Sequence, residues 1–322
     1  MPTIYLHCGA PKTGTSFLQV LFARYADALK ENNIIYPQNA FTEGASEGRI
    51  TSGNAILMAN YLRPQLPHRI DNKDAFIDDF DQLLKEGQGS HFLFSSEFLV
   101  FPKNERTEAL VRVIRENDYD VKAFYFVRNM ADAARSAYSQ EVKRHGEVRD
   151  FSEFLKTWDG FALHHTNLIA NAFGEEALSL LNYDEHKGKL ASFVFKEVLG
   201  CDFEPDFREK INRSLTDKEL ELLRSFNQVA GAQNAFASTF ASDALMQIPS
   251  EDVVRFVPDE TEYSILEGRF SNAVNKINNR MKGQPIKISS DVKESSVRED
   301  LTDFERFTMA VLAKLVNNTR SR

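Results

Sequence analysis

The stretch Leu6-His7-Cys8-Gly9-Ala10-Pro11-Lys12-Thr13-Gly14-Thr15-Ser16-Phe17-Leu18-Gln19 decides the fold of this chain. Apolar, β-prone residues from Ile4 to Leu6 lead into a loop punctuated by Gly9, Pro11 and Gly14. A helical pattern then starts at once, with Phe17, Leu18, Leu21, Phe22 and Tyr25 on one side. Strand, glycine loop and helix together form a phosphate cradle, because loop amides and the positive end of the helix dipole converge on one point. Gly9 to Ser16 fits the P-loop pattern G-x-x-x-x-G-K-[ST] at every position but one. Thr15 follows the second glycine, and the lysine stands earlier, at Lys12.

Outward from this stretch, further strands are expected at Ile34–Tyr36, His91–Glu97, Val121–Val127 and Leu178–Tyr183. Helices are expected near Asn54–Tyr61, Lys73–Lys85, Glu105–Glu116, Asp132–Lys143, Phe151–Trp158, Ala162–Ala172, Lys187–Leu199 and from Thr216 to about Ala230. Strands alternating with helices imply an α/β, P-loop-NTPase-like three-layer fold with a central parallel sheet flanked by helices. The reading divides the chain into a nucleotide-binding domain, 1–230, and a mostly helical C-terminal extension, 231–322, packed on the same domain. In such sheets ligands collect at the carboxyl ends of strands. The loop 9–15, Ser95 to Glu97, Arg128 and Tyr183 all fall there.

With 322 residues, 42% hydrophobic and 27% charged, the chain has an ordinary globular composition. A formal net charge of −8 argues against a nucleic-acid or anionic-membrane binder, so an anionic ligand needs a local basic site. Two cysteines, Cys8 and Cys201, suit buried thiols and not a disulfide framework. The first strand begins within a few residues of Met1, and no apolar run approaches bilayer length, so the expectation is a soluble, cytoplasmic protein. His164 and His165 are adjacent, point to different helix faces and have no partners at ligand spacing, and no metal site is expected.

The amides of Lys12 to Thr15 and the hydroxyls of Thr15 and Ser16 suit the 5′-phosphate group of a nucleotide, with Lys12 adding a cation beside the bridging oxygen. A nucleoside-triphosphate enzyme wants its lysine after the second glycine and an acid elsewhere for Mg²⁺. Here the strand Val121–Val127 ends in Arg128. A cation there suits a second phosphate, with Ser136 eight positions later able to converge on it; a helix-capping arginine and an exposed serine is the plainer alternative.

Pro11 to Ser16 resembles the 5′-phosphosulfate loop of the sulfotransferases that use 3′-phosphoadenosine 5′-phosphosulfate (PAPS). Arg128-Asn129 through Ser136-Ala137-Tyr138 resembles their 3′-phosphate segment, and Asn212 to Leu215 a later one, so that the likeness spans about Thr3 to Asn227. The resemblance implies transfer of a sulfuryl group from PAPS to a hydroxyl or amine of a small-molecule or saccharide acceptor, with 3′-phosphoadenosine 5′-phosphate (PAP) as product and no metal. It implies a general base at the end of the third strand, which is Glu97 here; the alternative is a glutamate capping a helix from Phe98. It implies Lys12 at the leaving oxygen, with Pro11, Thr13, Gly14, Thr15 and Ser16 around the 5′ group. Arg128 and Ser136 fall at the 3′-phosphate, Phe17 and Tyr183 in the adenine pocket (or equally in the core), and Ser214 beside the nucleotide. Two departures are visible. Ser95 stands where cytosolic members carry a lysine, and Arg280-Met281-Lys282-Gly283 only loosely echoes their C-terminal loop, which places the chain nearer bacterial and carbohydrate-type members. A P-loop ATP-dependent kinase and a non-catalytic nucleotide-binding protein are the rival readings.

Overall fold

Five strands carry the architecture: β1 (Thr3–Cys8), β2 (Ile34–Ile35), β3 (His91–Ser96), β4 (Asp120–Val127) and β5 (Leu178–Asn182). The computed structural model describes residues 1–10, 12–49, 51–65, 75–160, 162–206, 215–248, 257–289 and 301–320. Every residue of β1 is buried, so both its edges and both its faces must be covered. Its edges pair in parallel with β3, from Ile4↔Phe92 to Cys8↔Ser96, and with β4, from Thr3↔Asp120 to His7↔Phe124. β2 and β5 extend the sheet to the order β2-β3-β1-β4-β5, with every pair parallel.

Parallel neighbours require crossovers, and helices supply them. They are α1 (Thr15–Arg24) and α2 (Ala26–Glu31) before β2, α3 (Ile56–Leu62) and α4 (Phe76–Glu86) before β3, and α5 (Glu105–Glu116) before β4. Then come α6 (Met130–Arg144), α7 (Phe151–Thr157) and α8 (Ala162–Phe173) before β5. One face of the sheet, with Tyr5, Leu93, Phe124 and Phe126, packs on Leu18, Leu21 and Phe22 of α1, Leu29 of α2, and Val194 and Phe195. On the other face Phe94 meets Phe80 of α4 and Tyr125 meets His165 of α8. The α/β class with a central, flanked parallel sheet is therefore observed.

One expected helix is broken. Beyond α9 (Tyr183–His186), Lys187–Leu199 forms a 3₁₀ turn, the short α10 (Leu190–Ser192) and a π-helical turn, Phe193–Val198. The wider winding brings Leu190, Val194, Phe195 and Leu199 into the same core cluster, while Phe193 stacks on His186 at 3.6 Å.

The chain divides into two compact units, each made of three segments. The first is Met1–Arg128, Phe161–Ile211 and Asn275–Ile286; the second is Asn129–Gly160, Asn212–Val274 and Lys287–Arg322. The first unit holds the whole sheet. The second is helical among the described residues, with α11 (Asp217–Ala230), α12 (Ala235–Met246), most of α13 (Glu260–Asn278) and α14 (Asp303–Arg320) joining α6 and α7. Its joints are capped: Thr216 and Glu219 form a reciprocal box at α11, and Asp150 accepts from the Glu153 amide at α7. No described helix is long and apolar enough to cross a membrane.

Candidate functional site

The loop after β1 is held from within. Its Gly9 amide continues the ladder to the Ser96 carbonyl at 3.1 Å. Beyond it, the chain folds back so that the hydroxyls of Thr13 and Thr15 both donate to the Ala10 carbonyl, at 2.8 and 3.2 Å. Thr13 and Thr15 are buried in consequence, and the Thr15 proton is engaged inside the loop. A Cβ on Gly9 would lie 2.4 Å from Thr15 Cγ2, so only glycine permits the fold-back. Gly14 is left-handed (φ 78°) and begins α1 with no side-chain cap. The first-turn amides of α1 therefore form a helix end suited to an anion. Lys12 is also left-handed (φ 63°), at a cost of about 1–2 kcal/mol for a residue with a Cβ. Lys12 is exposed, Ser16 and Phe17 are half-buried, and Pro11 lies outside the described residues.

Two further strand ends meet this loop. Arg128, directly after β4, donates from Nη1 to the Lys12 carbonyl at 3.1 Å. Its Nη2 lies 3.6 Å from Oδ1 of Asp184, and its guanidinium sits 5.2 Å from the centre of the Tyr183 ring. The Nε of Arg128 is buried and has no hydrogen-bond acceptor among the described residues. Tyr183, directly after β5, lies 3.3 Å from where a Gly14 Cβ would stand, and with Phe17 it packs against the core cluster. Both aromatics are thus partly core residues.

Glu97 follows β3 and is exposed at the same carboxyl end of the sheet as Lys12. No helix begins at Phe98: the Phe98 amide donates to the Ser96 hydroxyl, and α5 begins at Glu105 under an Asn104 cap. The capping alternative for Glu97 is therefore excluded. Ser95 is buried, and its hydroxyl pairs with Nδ1 of His7 at 2.8 Å. His7 lies stacked at 4.9 Å on Phe124, and burial pulls its pKa down to about 3, so the ring is neutral.

Lys12, Glu97, Arg128 and Tyr183 all belong to the first unit, at the carboxyl ends of neighbouring strands, where the order turns outward from β1 in both directions. Ser136 is half-buried on α6, in the second unit. Ser214 lies outside the described residues. Sequence reading missed Asp184, which no motif marks. It also missed Asn54, whose amide bridges the Leu93 carbonyl at 2.9 Å and the Ser95 amide at 2.7 Å. Among the described residues no group of three or more His, Cys, Asp or Glu side chains is placed to hold a metal ion.

No protein-family model matches the chain, and no curated protein does. Among solved structures, a crystal structure described as a sulfotransferase from Alicyclobacillus acidocaldarius is similar over 78% of this chain and 97% of its own. The identity is 18% and the TM-score 0.38. The fold class rests on the five-stranded parallel sheet itself.

Proposed function

We propose that the protein is a PAPS-dependent sulfotransferase acting on a hydroxyl or amine of a small-molecule or saccharide acceptor. The observation that carries the reading is that a cation, and not a carboxylate, closes β4 against the loop: Arg128 reaches the carbonyl of the displaced Lys12. A triphosphate on Mg²⁺ calls for the opposite arrangement. The start of α1, which has no side-chain cap, suits the 5′ group, and the buried Nε of Arg128, without an acceptor among the described residues, suits a further anionic oxygen.

The donor supplies a sulfuryl group on a good phosphate leaving group. Glu97 takes the proton of the acceptor as the acceptor–sulfur bond forms. The sulfur–oxygen bond to the phosphate breaks in line, and the Lys12 ammonium neutralises the charge appearing on that oxygen. The loop amides of residues 12–16 hold the 5′-phosphate still. Catalysis on this reading is positioning plus electrostatics.

Labelled PAPS offered with a panel of saccharide, phenol and amine acceptors tests the proposal. Transfer should fall by at least about 100-fold in Glu97→Gln and in Lys12→Ala, the usual scale for loss of a general base or a transition-state cation. PAP binding should survive Glu97→Gln. Stabilisation by ATP with Mg²⁺ but not by PAP would instead favour a kinase. PAP binding without transfer to any acceptor would favour a non-catalytic nucleotide-binding protein.

A further inference from the structure

Three side chains from two neighbouring strand ends close on one short loop. Arg128 grips Lys12 by its carbonyl, Tyr183 lies against Gly14, and Asp184 stands behind Arg128. We propose that Asp184 is a positioning residue: acting through Arg128, it holds the Lys12 carbonyl, and with it the strained loop conformation that presents Lys12 and the first-turn amides of α1. This deepens the sulfotransferase reading, and its nucleotide-binding arm rests on that reading.

Burial comes first. The Arg128 side chain is 10% exposed and that of Asp184 is 2% exposed, so the pair is desolvated. Removing one member of such a pair strands the other charge, and the survivor must move to find water or a new partner. Arg128 cannot move without releasing the Lys12 carbonyl. Lys12 at φ 63° needs an outside restraint, since a residue with a Cβ leaves the left-handed region when free to do so.

Asp184 is itself fixed. Its amide donates to Oδ1 of Asn182 at 2.9 Å, and Nδ2 of Asn182 donates to the Gln284 carbonyl at 3.2 Å. A second cation, Lys187, lies 3.3 Å from the same carboxylate oxygen. The loop is therefore tied through Arg128 and Asp184 to the end of β5 and to the 275–286 segment of the same unit.

Charge makes the proposal decisive in sign. A carboxylate beside the arginine of an anion site opposes the anion. If Asp184 served only as a counter-charge, neutralising it would tighten anion binding. If it positions the loop, neutralising it weakens binding, because the amides and Lys12 are no longer aligned.

The test is hydrogen–deuterium exchange of the free protein over residues 9–22, for wild type and Asp184→Asn, with PAP titration alongside. Exchange should accelerate by about tenfold and PAP affinity should fall by about tenfold in the variant. Lys12→Gly accepts a positive φ without strain, so adding Asp184→Asn to it should change exchange far less than in wild type. A defect that is merely global would add equally in both backgrounds. If Asp184→Asn does not fold, it is added to Arg128→Gln: because Asp184 acts through Arg128, the double variant should exchange no faster over 9–22 than Arg128→Gln alone, and a further acceleration overturns the proposal. Unchanged exchange over 9–22 in Asp184→Asn alone, or tighter PAP binding, overturns the proposal. If wild type does not bind PAP, the donor reading fails, and the exchange comparison still decides the role of Asp184.

Discussion

At the residue scale, the loop depends on two glycines for different reasons. Gly9 is needed for closeness, since its missing Cβ leaves room for Thr15. Gly14 is needed for conformation as well, because it is left-handed and a Cβ would lie 2.5 Å from Leu190 Cδ2. Gly14→Ala should therefore destabilise by about 1–3 kcal/mol, the sum of a positive-φ penalty and the displacement of a core leucine, read by urea unfolding. His7 gives a prediction of opposite character. Its folded-state pKa, about 3, lies below its ordinary value of 6.5, so the unfolded chain binds the proton first. Its contribution is complete above pH 6.5 and is lost progressively as the pH falls toward 3. His7→Asn sets an amide where Nδ1 stands, so it keeps a hydrogen-bonding partner for Ser95 but does not titrate. Between pH 7 and 4.5 it should lose on the order of 2 kcal/mol less stability than wild type, measured by unfolding at the two values.

At the element scale, the weak point of the sheet is β2, which offers β3 only two residues. Beyond Phe92 the outer edge of β3 is satisfied by a loop instead. Asn54 bonds the Leu93 carbonyl and the Ser95 amide, the Ala55 amide reaches the Ser95 carbonyl at 3.2 Å, and the Ser96 hydroxyl donates to the Ser52 carbonyl. Gly53 makes the approach possible, since a Cβ there would lie 2.1 Å from the Ser95 oxygen. Asn54→Ala leaves two buried backbone groups without partners and should cost about 2–4 kcal/mol in chemical denaturation, with exchange protection lost first at Ser95. Asn54→Asp keeps the acceptor for the Ser95 amide but sets a carboxylate against the Leu93 carbonyl, and should be no better tolerated than alanine. This contrast marks what the sequence could reveal. β1, its glycine loop and α1 were legible because their signals are local: an apolar run, glycine spacing and a helical period. Lys12, Arg128 and Glu97 were legible as strand-end residues once the strands were read. Asn54 was not, because its role lies across 41 positions in one polar loop that resembles any other. Nor was Asp184, whose partner is chosen by the sheet order that sets β4 beside β5.

At the scale of the whole molecule, the proposed function has a chain of net charge −8 attract a polyanionic nucleotide through a local site against an unfavourable overall field. The proposed site gathers Lys12, Arg128 and the start of α1, with Asp184 and Glu97 beside them, at the carboxyl end of the sheet in the first unit. Binding should therefore be specific for the number and place of the phosphates, and sensitive to salt in a characteristic direction. Added salt screens the repulsive field of the distant acids as well as the attraction of the site, but buried partners such as Arg128 are screened least. On the proposed function, PAP at about 100 times its dissociation constant should stabilise the folded protein by roughly 2.7 kcal/mol, which for a unit of this size should raise its melting temperature by on the order of 5–10 °C. The shift should appear with chelator present, should shrink sharply for adenosine 5′-phosphate, which lacks the second phosphate, and should fall only modestly as salt rises from about 50 to 300 mM, a range over which purely surface attraction is largely lost. A shift of equal size for adenosine 5′-phosphate would mean that Arg128 serves the loop alone and takes no phosphate of its own.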